Sequence, residues 1–188
     1  NFSLRKLLLT ALVAGPLATL PAPLWALPDV TTGATGNLSP STGVTTQVVG
    51  TSTLNITAPD KAILTWQAFG SGASTIAAGD VINYFLPSAT SSILNSVSGG
   101  VASTINGSLI SNGNVYVLNP AGIVIGATAQ INVGGFYAST VAEPSGFFSI
   151  NGSLSFAGTS TSSVTVTNGA TVQAVGTGNN IYLAGNAI

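Results

Sequence analysis

The sequence predicts an all-β chain folded as a right-handed parallel β-helix, a single-stranded solenoid with an N-terminal cap. Three observations carry the prediction. Beyond residue 26 no stretch keeps a helical period, and short β-rich runs recur instead, at residues 44–49, 62–67, 81–86, 115–118, 123–125, 164–167 and 181–184. Gly, Asn and Ser punctuate these runs, with Asn-Gly pairs at 106–107, 112–113, 151–152 and 168–169. Parts of the sequence also echo one another. Ile105-Asn106-Gly107-Ser108-Leu109 returns 45 residues later at 150–154, and Gly126-Ala127-Thr128-Ala129-Gln130 returns in altered form 43 residues later at 169–173. Tyr137-Ala138 and Tyr182-Leu183-Ala184 close the two stretches.

Each element follows from these features. Asn and Gly tolerate the positive φ of tight corners, so the Asn-Gly pairs read as solenoid corners, with two-residue hairpins as the alternative. If one coil takes roughly 20–23 residues, the echoes lie about two coils apart. Inward Val, Ile, Leu and Phe then form columns, and corner asparagines can stack as amide ladders. Trp66 and Phe69, three residues apart, read as core packing or as a plug at the N-terminal end. An antiparallel sandwich is the competing architecture. The sequence stops at Ile188 in the middle of a coil, which leads us to expect further repeats in the natural protein.

Composition narrows the function. Hydrophobic residues make up 45% of the chain, enough for a sizeable core, while charged residues make up 4%, against about 25% in an average soluble protein. The basic residues are Arg5, Lys6 and Lys61 and the acidic ones Asp29, Asp60, Asp80 and Glu143. Nucleic acid is therefore not an expected partner, because phosphate binding needs several clustered Lys or Arg. With no His and no Cys, imidazole and thiolate metal sites and Ser-His or Cys-His nucleophiles are excluded. No cofactor, metal site or catalytic residue is expected.

Residues 1–26 read as a secretory signal: Arg5-Lys6, an apolar run from Leu7 to about Leu20, then helix-breaking Pro21 and Pro23 and a small residue at Ala26. Cleavage is expected between Ala26 and Leu27, with Ala22 as the second choice. A membrane anchor is the alternative, but Pro16, Pro21 and Pro23 interrupt the run, at roughly 3 kcal/mol for each proline inside a helix. The second segment, 27–188, is the solenoid.

The most specific stretch runs from residue 66 to 140. In order it carries Trp66-Gln67-Ala68-Phe69, Asn95-Ser96-Val97-Ser98-Gly99-Gly100, Ser103-Thr104-Ile105-Asn106-Gly107, Asn112-Gly113-Asn114-Val115-Tyr116-Val117-Leu118, Asn119-Pro120-Ala121-Gly122-Ile123 and Ile131-Asn132-Val133-Gly134-Gly135-Phe136-Tyr137-Ala138. This series resembles the haemagglutination-activity, or secretion, domain of filamentous-haemagglutinin-type two-partner-secretion exoproteins. The family pattern has Asn-Pro-Asn-Gly where this chain has Ala121, and Asn-Arg-Val where it has Ser96. Asn119-Pro120-Ala121-Gly122 is physically a turn, because Pro fixes φ, Gly allows left-handed φ and Asn can bond nearby backbone. Asn95 reads as a corner amide.

The resemblance implies a secretion and folding module: export to the periplasm of a Gram-negative bacterium, and recognition of the unfolded chain by POTRA domains of an outer-membrane β-barrel transporter. Folding of the β-helix outside the cell follows, with a role at the host-cell surface belonging to a C-terminal portion. Asn95, Asn119, Pro120, Ala121, Gly122 and Ile123 are the candidate motif residues. Two other classes stay open. One is an adhesin segment that binds glycans or host proteins directly. The other is a carbohydrate-active β-helix enzyme, which needs two nearby carboxyl groups; Asp60 and Asp80, 20 residues apart, would stack if one coil lay between them.

Overall fold

The structure, a computed structural model, describes residues 27–33, 36–72, 74–141, 159–175 and 180–188. The segment read as a secretory signal, with Ala26, the echo at 150–154 and Glu143 lie outside these residues. Among the described residues every regular element is a strand.

The strands form three sheets along one axis. The first sheet holds β1 (Leu38–Pro40), β4 (Ala62–Trp66), β7 (Ser92–Val97), β10 (Asn114–Leu118), β13 (Phe136–Ser139) and β16 (Ile181–Ala184). The second holds β2 (Thr45–Val49), β3 (Thr53–Thr57), β6 (Val81–Phe85), β9 (Ser108–Ser111), β12 (Gln130–Val133) and β15 (Thr171–Ala174). The third holds β5 (Thr75–Ile76), β8 (Ser103–Ile105), β11 (Ile123–Ile125) and β14 (Val164–Val166). From β3 onward each strand lies parallel to its counterpart one coil later, the pattern of a parallel β-helix. Two antiparallel pairs form the N-terminal cap: β1 on β4, and β2 on β3 as a hairpin. The cap gives the first full coil a finished edge in place of unpaired N–H and C=O groups.

Apolar alternation builds the interior. Ala62, Ile93, Val115 and Phe136 make one inward column, Leu54, Ile82, Leu109 and Ile131 a second, and Ile76, Ile105 and Ile125 a third. All of these are buried. Burying one such side chain contributes about 1.5–3 kcal/mol, and together they supply the stability that disulfides give many extracellular domains. The columns open at Val166 and Ile181 of the last described coil, which are 43% and 47% exposed.

Coil length differs from the sequence expectation. It holds in the middle, where Ile93 sits beside Val115 and Val115 beside Phe136. The first coil is wider, because Ala62 pairs with Ile93 31 residues on. At the other end Phe136 pairs with Ile181 and Gln130 with Thr171. The 43-residue echo and the 45-residue spacing from Tyr137 to Tyr182 therefore span one coil that carries an insertion, not two coils. The Tyr137–Tyr182 echo is in register, whereas Gln130 and Gln173 are two positions out of it.

The corners also differ from expectation. The described Asn-Gly pairs join strands of different sheets, so none closes a hairpin. Gly169 has φ 103, but Gly107 and Gly113 are not in the positive-φ region. Their glycines serve close approach between coils: a Cβ at Gly107 would lie 2.5 Å from the Asp80 carbonyl oxygen, and one at Gly113 2.5 Å from that of Ser91. Among the described residues the corner asparagines do not hydrogen-bond one another as a ladder. Asn112 clamps the neighbouring backbone, accepting from Leu86 N–H (2.9 Å) and donating to its carbonyl (2.7 Å), and Asn37 does the same to Ala68.

Candidate functional site

Asn95 sits in the middle of β7, not at a corner. Its register partners are Leu64 and Val117, so it occupies an inward core position and is fully buried. An amide there is unfavourable unless every polar atom is bonded. Its Oδ1 accepts from the Trp66 indole N–H (3.1 Å) and from the Tyr84 hydroxyl (3.1 Å), and its Nδ2 donates to the Tyr116 carbonyl (3.2 Å). One side chain thus ties together β4, β6, β7 and β10. Burial pushes the Tyr84 hydroxyl far above its ordinary pKa, so it remains a neutral donor at any physiological pH.

Asn119 lies at the corner between β10 and β11, as the motif predicts. Gly122 N–H donates to the Asn119 carbonyl (3.0 Å) and Ala121 N–H to Asn119 Oδ1 (2.9 Å), while Gly122 takes φ 124. Pro120 is exposed at the tip, Ala121 is half-buried, and Ile123 turns into the core. Asn119 Nδ2 reaches back one coil to the Val101 carbonyl (2.9 Å) and Ser103 Oγ (2.9 Å). Its main-chain N–H donates forward to the Ser139 carbonyl (3.0 Å). A single buried residue therefore joins three successive coils. Ala121 enters the turn through its backbone N–H, so the departure from the family's Asn leaves these bonds intact; Ser96 lies outward and half-buried.

Both asparagines lead to the same place. Ser103 Oγ lies 3.3 Å from Ser74 Oγ, which accepts the Phe69 N–H (2.9 Å). Trp66 and Phe69 pack with ring centroids 5.6 Å apart and are fully buried. The motif pieces at 66–69, 95 and 119–123 thus form one joint between the cap and the coils. Sequence reading missed Tyr84, Ser74 and Ser103 as partners. Ser103 stands inside a quoted motif, but Tyr84 belongs to another sheet and carries no sequence signal.

Among the described residues the carboxylates do not assemble into a second site. Asp60 stands before β4 of the first sheet and Asp80 before β6 of the second, because the first coil is too wide for a 20-residue spacing to stack them. Each serves local backbone instead: Asp60 accepts Ser92 N–H (2.8 Å), Asp80 accepts Ala77 N–H (3.1 Å) and Asp29 accepts Thr31 N–H (2.9 Å).

Burial raises the Asp80 carboxyl above its ordinary value of 3.8, opposed in part by the Ala77 bond. The folded chain then holds this proton more tightly than the unfolded chain, so the Asp80 contribution to stability falls as pH rises from 3.8 through the raised value. Asp80→Asn keeps an acceptor for Ala77 and removes the charge. Its unfolding temperature is expected to equal or exceed that of the parent at pH 7, with the difference closing below pH 3.8. Thermal melts at the two pH values check this, and a variant clearly less stable at pH 7 contradicts it.

Comparison with known proteins agrees with this geometry. The family model of the TPS secretion domain matches residues 26–188. A heme/hemopexin-binding protein of Haemophilus influenzae strain Rd is 46% identical over 59 residues, 31% of this chain and 6% of that protein. A second Haemophilus influenzae heme/hemopexin-binding protein is 38% identical over 81 residues, 43% of this chain and 8% of that one. The chain thus spans less than a tenth of the length of these curated relatives. The crystal structure of the HMW1 secretion domain from Haemophilus influenzae superposes with a TM-score of 0.53 at 32% identity, covering 57% of this chain and 28% of that one. With the family match running across the cap, the joint and the coils, this chain belongs to the TPS secretion domains of two-partner-secretion exoproteins.

Proposed function

We propose that the chain is the N-terminal secretion module of a larger exoprotein. Residues 1–26 direct it to the periplasm of a Gram-negative bacterium and are removed after Ala26. POTRA domains of a partner outer-membrane β-barrel transporter recognise the chain from Leu27 onward before it folds. The chain then crosses, and its cap and first coils nucleate the β-helix at the cell surface or in the medium.

The observation that carries this reading is the burial of the motif. Asn95 and Asn119 are wholly enclosed, and no buried side-chain polar atom among the described residues lacks a partner. A partner cannot touch these side chains on the folded surface. A motif that is both read and buried has to be read in the extended chain, where strand addition supplies affinity and side chains supply register. Leu27, the first residue after the proposed cleavage, packs into the core. A further coil would cover Val166 and Ile181. Heme or host-cell binding, if this exoprotein has it, belongs to chain beyond this module.

Co-expression with the cognate transporter tests the proposal. The medium should contain protein beginning at Leu27, with Asp29→Asn and Asp60→Asn exported at the parent level. Exported protein that retains residues 1–20, or export that depends on Asp60, overturns it.

A further inference from the structure

The outward side chains of the second sheet align across the coils. In register order they are Gln47, Asn55, Asn83, Ile110, Asn132 and Gln173. Five of the six are primary amides, spaced about 4.8 Å apart along the axis by the strand separation. The other outer faces differ: the first sheet presents Ile63, Leu94, Tyr116 and Tyr137 in register, and the third Thr104, Val124 and Thr165.

The amide row is open to ligands. Asn83 Nδ2 donates to Asn55 Oδ1 (2.9 Å), leaving each amide with spare capacity. Asn132 and Gln173 are exposed, and their amides bond no other described residue. Two shallow grooves lie on this face to either side of Ile110. One, of about 320 Å³, is bordered by Asn83, Phe85 and Asn112; the other, of about 200 Å³, by Gln130, Asn132 and Gln173. Phe85 is 52% exposed and Ile110 44%.

The chemistry of this face selects one class of ligand. The outward positions of these strands hold no charged residue, so neither a polyanion nor a cation finds a counter-charge. Phe85 and Ile110 border the larger groove together among amides and hydroxyls, too few apolar side chains to seat an apolar helix. Amides that both donate and accept, with separate apolar side chains between them, match hydroxyl-edged, C–H-faced rings. An extended glycan advances by one hexose over a distance close to the strand spacing, so successive sugars meet successive coils. We propose that the outer face of the second sheet is a binding track for an uncharged, unbranched polysaccharide lying along the β-helix axis. Phe85 and Ile110 pack against sugar faces, and Asn83, Asn132 and Gln173 bond the hydroxyls.

The test uses the secreted protein and a panel of neutral linear hexasaccharides: β-1,4-glucose, α-1,4-glucose and β-1,4-mannose. Their disaccharides and hexagalacturonate serve as controls, with binding measured by titration calorimetry. At least one hexasaccharide should bind ten-fold or more tightly than its disaccharide and than hexagalacturonate. Ile110→Asp and the double change Asn132→Ala, Gln173→Ala should each weaken it at least ten-fold, with unfolding temperature and export unchanged. Millimolar inertness of the whole panel overturns the proposal, as does equal binding of hexagalacturonate or binding indifferent to both variants. Export is scored on the same variants, so failure here leaves the transporter reading standing and the reverse also holds.

Discussion

Asn95→Ala is expected to lower the unfolding temperature by about 10 °C or more and to cut export at least ten-fold. The change strips the acceptor from two buried donors, Trp66 Nε1 and Tyr84 O–H. An unsatisfied buried group costs about 1–3 kcal/mol, and the space left by the amide adds a cavity term. At about 2–4 °C per kcal/mol for a domain of this size, two orphaned donors account for the shift. Asn95→Leu should do little better, since it fills the space and still orphans both donors. Asn95→Leu combined with Trp66→Phe and Tyr84→Phe removes both side-chain donors together and should recover much of the stability. Melts of the purified domain and protein measured in the medium decide it. An Asn95→Ala domain that melts within 2 °C of the parent shows that the buried bonds matter little.

The second large effect is expected at Asn119. Asn119→Ala leaves Ala121 N–H and the Val101 carbonyl without this partner and Ser103 Oγ with Ser74 Oγ alone, a loss on the order of 1–3 kcal/mol. Asn119→Asp should be worse: although it keeps an acceptor for Ala121, it loses both donor bonds and buries a charge. Ala121→Asn, which restores the residue usual in the family, should change stability and export little. Two measurements separate recognition from folding: capture of the urea-unfolded chain by the transporter's periplasmic domains, and the refolding rate after dilution. We expect Asn119→Ala to weaken both. If it moves neither, the motif has no part in export.

Much of this fold is legible along the chain. Runs such as those at 62–67 and 81–86 alternate inward apolar residues with outward ones, and the strands appear there within one residue. Strands rich in Ser and Asn, such as β7 and β9, are harder to read, because in a parallel sheet the backbone supplies the pairing and the side chains need not advertise it. The turn at Asn119 follows from local rules for Pro and Gly. The place of Asn95 does not, since its acceptor role depends on Trp66 and Tyr84 arriving from two other strands. The number of coils between the echoes is hidden for a related reason: a repeat in sequence cannot tell two short coils from one coil with an insertion.

The parallel register has a consequence for chain entropy. From β3 onward every strand finds its partner one coil away: 21 residues between Val115 and Phe136, 31 between Ala62 and Ile93, 45 between Phe136 and Ile181. Closure entropy grows only with the logarithm of the loop, about 0.6 kcal/mol for each doubling, so the widest coil costs little more to close than the narrowest. The longest closure is set by one coil and is independent of how many coils follow. A much longer β-helix of this kind would meet the same small ordering penalty at each step, and a chain emerging through a pore could order coil by coil without waiting for distant residues.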